Sequence, residues 1–245
     1  MLKLNNVQFK YGKKQILNGI TLEFKRGKVY GIIGPNGAGK STLLNLIAKD
    51  LKPKGGEILL KDQDVYNYNN KNFARMLSYM RQNTQVRFSY TVSEFVSMGR
   101  YCYDDCSVSE NKRIVDYRIQ EMDLSNYQNT PLTELSGGEV QRAFFAKTLV
   151  QDGQIILVDE GVSNADIFYK LRFFDILKKE AALGKLVIVI MHDLFLAKRY
   201  CDHLVVLNQQ QIYAQDSSEK ILNRQMLETV FKVKGDVINN TLILD

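Results

Sequence analysis

Three short runs along the chain, VYGII at 29–33, IILV at 155–158 and LVIVI at 186–190, are apolar without alternation and lead into turns or helical patterns. Strands buried on both faces need that pattern, so these runs are predicted as central parallel strands. The early stretches LKLNNVQFKY and GITLEFKRG alternate apolar with polar positions, which predicts half-exposed antiparallel strands. After the first buried run, KSTLLNLIAKDL carries Leu43, Leu44 and Ile47 on one helical face, and Pro53 with Gly55 and Gly56 is expected to end that helix. Thr91 and Glu94 have the spacing of a capping box, and residues 88–150 read as mostly helical. NYNNKN at 67–72 reads as a short polar loop, and HLVVLNQQQIYAQ as a terminal hairpin. The fold class predicted is α/β: a mostly parallel central sheet, an N-terminal antiparallel β-subdomain and an inserted α-helical subdomain. Its α/β core would take residues 1–87 and 151–245 and its insert residues 88–150, all in one domain.

Composition narrows the class only a little. With 45% apolar and 24% charged residues the chain resembles ordinary globular proteins, which sets aside disordered and fibrous classes. The longest apolar run, LVIVIM at 186–191, is far shorter than the roughly 20 residues a membrane crossing needs. The start MLKLNNVQFKYGKK has no apolar signal core, and three cysteines cannot all pair, so the cytoplasm is expected. Cys102 and Cys106 fit no common zinc spacing, and free thiols are expected. The net charge of +6 comes from basic residues interspersed with acids and forms no long block. A modest attraction to an anionic membrane surface explains it as well as nucleic acid would, so charge alone does not decide between them; no nucleic-acid partner is expected.

The chemistry begins at GPNGAGKS, residues 34–41, which has the phosphate-loop pattern between a buried strand and an amphipathic helix. Gly34, Gly37 and Gly39 allow the backbone to curl its amides inward around phosphate oxygens, aided by the positive end of the following helix. Lys40 would set a charge on the outer phosphates, and Ser41 a hydroxyl on Mg²⁺. A glycine-rich turn that binds nothing is the competing reading. IILV ends in Asp159 and Glu160, two acids at the sheet edge where α/β proteins bind ligands. Alternation along a strand lets one face a metal and its neighbour a water, so Asp159 is assigned to Mg²⁺ and Glu160 to general-base work. His192 follows the third buried strand and could reach the terminal phosphate, although a lone histidine there is more often structural. His203 is read as structural. In LSGGEVQR, residues 135–142, a helix starting near Glu139 would leave Ser136, Gly137 and Gly138 to offer amides and a hydroxyl to a second anion. Two such loops on one chain suit two copies, head to tail, each closing over the other's nucleotide.

Taken together, these residues resemble the ATP-binding cassette ATPases, over essentially the whole chain and in that family's order. LSGGE is similar to the family's signature, GPNGAGKST to its Walker A loop, IILVDE to its Walker B strand, and SNAD at 163–166 to its D-loop. The resemblance implies a P-loop NTPase core and active ATP hydrolysis with Mg²⁺. It implies nucleotide contacts from Tyr11, against adenine, from Asn36, Ala38 and Thr42 with the rest of the Walker loop, and from Ser136, Gly137, Gly138 and Asp166. Gln82 fits the Q-loop glutamine, placed at nucleotide and metal, and His192 the switch histidine; for Tyr11 a core aromatic is the alternative. TVSEFVSMGRY, residues 91–101, is similar to a stretch of importers for iron chelates, haem and cobalamin, with Cys102 where those have proline. The implied partners are a second copy, transmembrane permease subunits touching residues 83–101 and, indirectly, a substrate-binding protein, with the chain peripheral on the cytoplasmic face of the membrane. Cassettes for metal import or for export, and soluble cassettes of the iron–sulfur assembly type, are the alternatives. Gly161 stands where the family has proline, which leads one to expect a looser setting for Glu160.

Overall fold

The structure is a computed structural model describing residues 1–82, 86, 88–161, 166–238 and 241–244. It divides into two compact units, one built from Met1–Tyr68 with Phe174–Asp245 and the other from Asn69–Phe173.

The first unit opens with β1 (Leu2–Tyr11) and β2 (Lys14–Phe24), paired antiparallel with Leu2 opposite Phe24 and Leu4 opposite Leu22. Their alternation comes from burial on one face only: Leu2, Leu4, Leu22 and Phe24 are all buried. Then follow β3 (Lys28–Ile33), α1 (Lys40–Ile47), β4 (Gly55–Leu60) and β5 (Gln63–Asp64), and the antiparallel sheet runs in the order β2-β1-β4-β5. One expectation is corrected here. Helix α1 stops at Ile47, and Gly55 and Gly56 begin a strand rather than closing a helix. The reason lies beyond local sequence: Ile58 and Leu60 are buried in register with Leu4 and Leu2 of β1.

The second unit contains α2 (Asn70–Met76), β6 (Leu77–Met80), α3 (Val92–Ser97), α4 (Val108–Glu121), α5 (Gly137–Val150) and β7 (Ile155–Asp159). The Asn69 side chain accepts a hydrogen bond from Asn72 N at 2.8 Å and starts α2, so the predicted polar loop is half a helix cap. Strands β6 and β7 are parallel, with Leu77 beside Ile155 and Met80 beside Val158. The capping box at α3 forms: Thr91 Oγ1 accepts from Glu94 N, and the Glu94 carboxylate accepts from Thr91 N at 2.8 Å. The helices pack through Phe95 and Phe144, whose ring centres are 4.7 Å apart, and through the buried Arg100, which donates to Val150 O at 2.9 Å.

Helix α6 (Ile167–Ala182) leads into β8 (Leu186–Ile190), α7 (Leu194–Tyr200), β9 (His203–Asn208) and β10 (Gln211–Ser217). In the first unit these strands lie in the order β10-β9-β3-β8, with β3 parallel to both β8 and β9, while β10 folds back antiparallel on β9. Every residue of β7 and β8 is buried, as unalternating apolar runs require. The β9–β10 hairpin does form, but it is not terminal. Helices α8 (Ser218–Ile221) and α9 (Arg224–Met226) follow it, then an antiparallel pair, β11 (Gly235–Ile238) and β12 (Thr241–Leu244).

Candidate functional site

In the first unit the phosphate loop joins β3 to α1. A Cβ on Gly34, at φ 149°, would lie 2.2 Å from Leu207 O of β9, so only glycine lets the loop leave the sheet here. Gly39, at φ 97°, is the N-cap of α1; no side chain caps this helix, and its first turn holds no acid. Its first amides therefore meet no carboxylate from within the helix, and the positive end of the dipole is set for an anion. Lys40 is 6% exposed, and its Nζ donates to Gly34 O at 2.9 Å and Pro35 O at 3.0 Å, so the ammonium is folded back over the loop. Asn36 and Gly37 are exposed, Ala38 is buried, and Ser41 and Thr42 are half-buried in the first turn.

Tyr11 ends β1 with its ring edge-on to Phe9 at 4.8 Å and is 51% exposed, which removes the reading of a core aromatic. His192 is exposed directly after β8. Its neighbour Asp193 caps α7, accepting from Phe195 N at 2.9 Å and Leu196 N at 3.0 Å, and thereby fixes where the chain turns past His192. His203 stacks on Tyr30 with ring centres 5.1 Å apart.

In the second unit Asp159 closes β7 at 4% exposure, and Glu160 follows in the left-handed region, at φ 53°. A non-glycine residue in that region costs on the order of 1 kcal/mol and is held only by its surroundings. Those surroundings are close: a Cβ on Gly161 would lie 2.9 Å from Met80 Sδ, 3.0 Å from Val158 Cγ1 and 3.1 Å from Phe173 Cζ. Three neighbours thus fill the space a side chain at 161 would take, so glycine is what fits beside Glu160. Gln82 Nε2 donates to Glu160 Oε2 at 2.8 Å, bringing together two of the residues singled out in the sequence. Asp166 caps α6, its Oδ1 accepting from Tyr169 N at 3.0 Å. Ser163, Asn164 and Ala165 of the D-loop stretch lie outside the described residues, as does Val162.

The signature stretch also differs from expectation. Helix α5 begins at Gly137 rather than near Glu139, with Ser136 as its N-cap. Glu139 occupies the third helical position and completes a capping box: Ser136 Oγ donates to Glu139 Oε2 at 2.7 Å and Ser136 N donates to the same oxygen at 2.8 Å, while Glu139 N donates back to Ser136 Oγ at 3.4 Å. These bonds from the Ser136 hydroxyl and then its amide hold the Glu139 carboxyl below the usual carboxylate range. Its part in capping α5 is therefore full at neutral pH and lost as the pH falls through that lowered value. Sequence reasoning missed this grip, although S-x-x-E stands in the sequence; it missed the Gln82–Glu160 bond and the Asp193 cap as well.

A glycine-rich loop between a buried parallel strand and a helix, and two acids at the end of another buried strand, are features of the nucleotide-binding P-loop ATPases. A protein-family profile described as ABC transporter matches residues 17–163, and the chain belongs to that family. It is 35% identical to a hemin import ATP-binding protein of Bradyrhizobium diazoefficiens, covering 97% of this chain and 90% of the relative. It is 32% identical to a petrobactin import ATP-binding protein of Bacillus subtilis, covering 94% and 92%. A dimeric ATP-binding cassette solved in a post-hydrolysis state with ADP and Pi superposes with a TM-score of 0.80 at 26% identity, over 89% of this chain and 99% of that one.

Proposed function

We propose that the protein is the ATP-hydrolysing subunit of an importer that takes up an iron chelate, haem or a related corrinoid such as cobalamin, working beneath a separate membrane permease. The similarity to hemin and petrobactin import proteins over nearly the whole chain carries this reading. Among the described residues no helix is long and apolar enough to cross a membrane. Two copies would clasp two ATP molecules head to tail, with the Gly34–Thr42 loop and Tyr11 of one copy holding each nucleotide and Ser136, Gly137, Gly138 and Asp166 of the other covering it. The dimeric relative with ADP and Pi supports that assembly. Because the covering contacts exist only in the closed dimer, ATP shifts the open-to-closed equilibrium by their differential affinity.

Asp159, a buried carboxylate, would offer an oxygen to Mg²⁺, as would Gln82, whose amide nitrogen is given to Glu160, and Ser41 would add a hydroxyl. When bound, the ion would neutralise phosphate charge during transfer. Glu160 would take the proton of the attacking water, Lys40 would hold the outer phosphates, and His192 would fix the terminal one. On the permease side, Val86, Phe88, Tyr90, Phe95, Met98 and Phe144 line an apolar hollow of about 350 Å³, and Phe88 is 69% exposed. This supports residues 83–101 as the contact surface, of which 83–85 and 87 lie outside the described residues.

Crosslinking in native membranes, followed by identification of the co-purifying chains, tests the whole reading. A permease with an iron-chelate, haem or corrinoid binding protein is expected, whereas a soluble complex or an exporter would overturn it. The shared site has its own test. Ser136→Arg is expected to leave ATP binding by the single chain unchanged within about twofold, since it lies outside that copy's own phosphate loop, while abolishing ATP-dependent dimerisation. Size-exclusion chromatography with and without ATP reads the outcome, and normal dimerisation would contradict the shared site.

A further inference from the structure

We infer that Glu139 acts as a built-in rival of the nucleotide at the signature loop and sets the ATP concentration at which two copies close. The inference rests on the shared-site reading above and goes beyond it.

The two glycine-bearing loops that begin α1 and α5 are finished differently. At α1 there is neither a capping side chain nor an acid in the first turn, so an incoming phosphate is the anion this helix end receives. At α5 that role is already filled from inside the helix, because Glu139 Oε2 takes the Ser136 hydroxyl proton at 2.7 Å and the Ser136 amide at 2.8 Å. The hydroxyl has one proton to give. For Ser136 to donate to a partner's phosphate, the bond to Glu139 must break, and a charge-assisted bond of this kind is about twice as strong as its neutral counterpart. The carboxylate also remains beside the phosphate as a like charge. The Tyr127 hydroxyl, hydrogen-bonded to the carboxylate, and Arg142, whose Nη2 stands 3.9 Å from Glu139 Oε1, answer that charge only in part. Arg142 is also spent elsewhere, its guanidinium lying 4.2 Å from the Tyr169 ring centre.

Glutamine at this position would accept the same two bonds through its amide oxygen and keep the capping box. It would do so without charge, releasing Ser136 more readily and removing the repulsion. Glu139 is thus a positioning residue that acts through the Ser136 hydroxyl. It raises the closing threshold through the loop that covers the partner copy's nucleotide.

The test compares Glu139→Gln with the unsubstituted chain, each carrying Glu160→Gln to hold the closed dimer, by following dimer formation against ATP concentration at several salt concentrations. Half-maximal closure is expected at about tenfold less ATP at low salt, the size of one like-charge repulsion in a partly solvated site. The gap is expected to narrow as salt rises. A merely structural cap would give the reverse, with a lower melting temperature and closure unchanged or weakened. An unchanged or raised ATP threshold in Glu139→Gln, or a gap that ignores salt, overturns the inference. Ser136→Arg in the same background separates the two failures: if it too closes normally, the shared site itself is wrong and the inference falls with it.

Discussion

Glu160→Gln is expected to bind ATP and to accumulate as a closed dimer while its turnover falls by about 10²–10⁴-fold, the range that removal of a general base produces. The side chain keeps its size and loses only the capacity to take a proton. Gln82 can still donate to the new amide oxygen, as it now donates to Glu160 Oε2 at 2.8 Å, so the local geometry should survive. Met80, Val158 and Phe173, which crowd Gly161 beside the left-handed backbone of residue 160, are not touched by the substitution. Phosphate release measured over many turnovers, beside chromatography of the ATP-bound chain, provides the check. Turnover within a fewfold of the unsubstituted chain would remove Glu160 as the base. Slow turnover without a trapped dimer would mean that the substitution had disturbed nucleotide binding instead.

What could be read from the chain beforehand followed from how local each signal is. The buried strands stood out because burial on both faces leaves no polar position, and β8 occupies the very run 186–190 marked by its sequence. The phosphate loop was visible because its glycines and lysine lie within eight consecutive residues whose strand and helix neighbours announce themselves. Strand β4 was missed because Gly55 and Gly56 look like a stop, and only pairing with β1, some fifty residues earlier, makes them a start. The same limit hid the link between Gln82 and Glu160, which lie on segments that meet only through the parallel pairing of β6 and β7. The start of α5 was misplaced for the opposite reason. Two glycines lower helix propensity, but a capping box supplies both missing partners at once and pulls the first turn back to Gly137. Tyr11 shows how little residue type alone decides: an aromatic on an alternating strand could face either way, and its exposure at the end of β1 became legible only with the fold.

Lys40→Ala is expected to weaken nucleotide binding by about 10–10²-fold, because one charge-assisted contact to phosphate contributes about 1.5–3 kcal/mol and each 1.4 kcal/mol is a factor of ten. The loss has a second source within the chain. Lys40 Nζ donates to Gly34 O and Pro35 O across the loop, and alanine would leave those carbonyls without that donor while removing the tie between the two ends of the curl. A loop less well preorganised must spend part of the binding free energy on its own ordering, which weakens diphosphate as well as triphosphate. Isothermal titration with ADP and with a non-hydrolysable ATP analogue therefore separates the two effects. A larger loss for the triphosphate would assign the lysine to the outermost phosphate, and equal losses would assign it mainly to holding the loop. Unchanged affinity for both would contradict a phosphate-binding role for residues 34–42 altogether. Fold integrity is the necessary control, and the melting temperature should fall by only a few degrees, since β3 and the buried face of α1, Leu43, Leu44 and Ile47, are left intact.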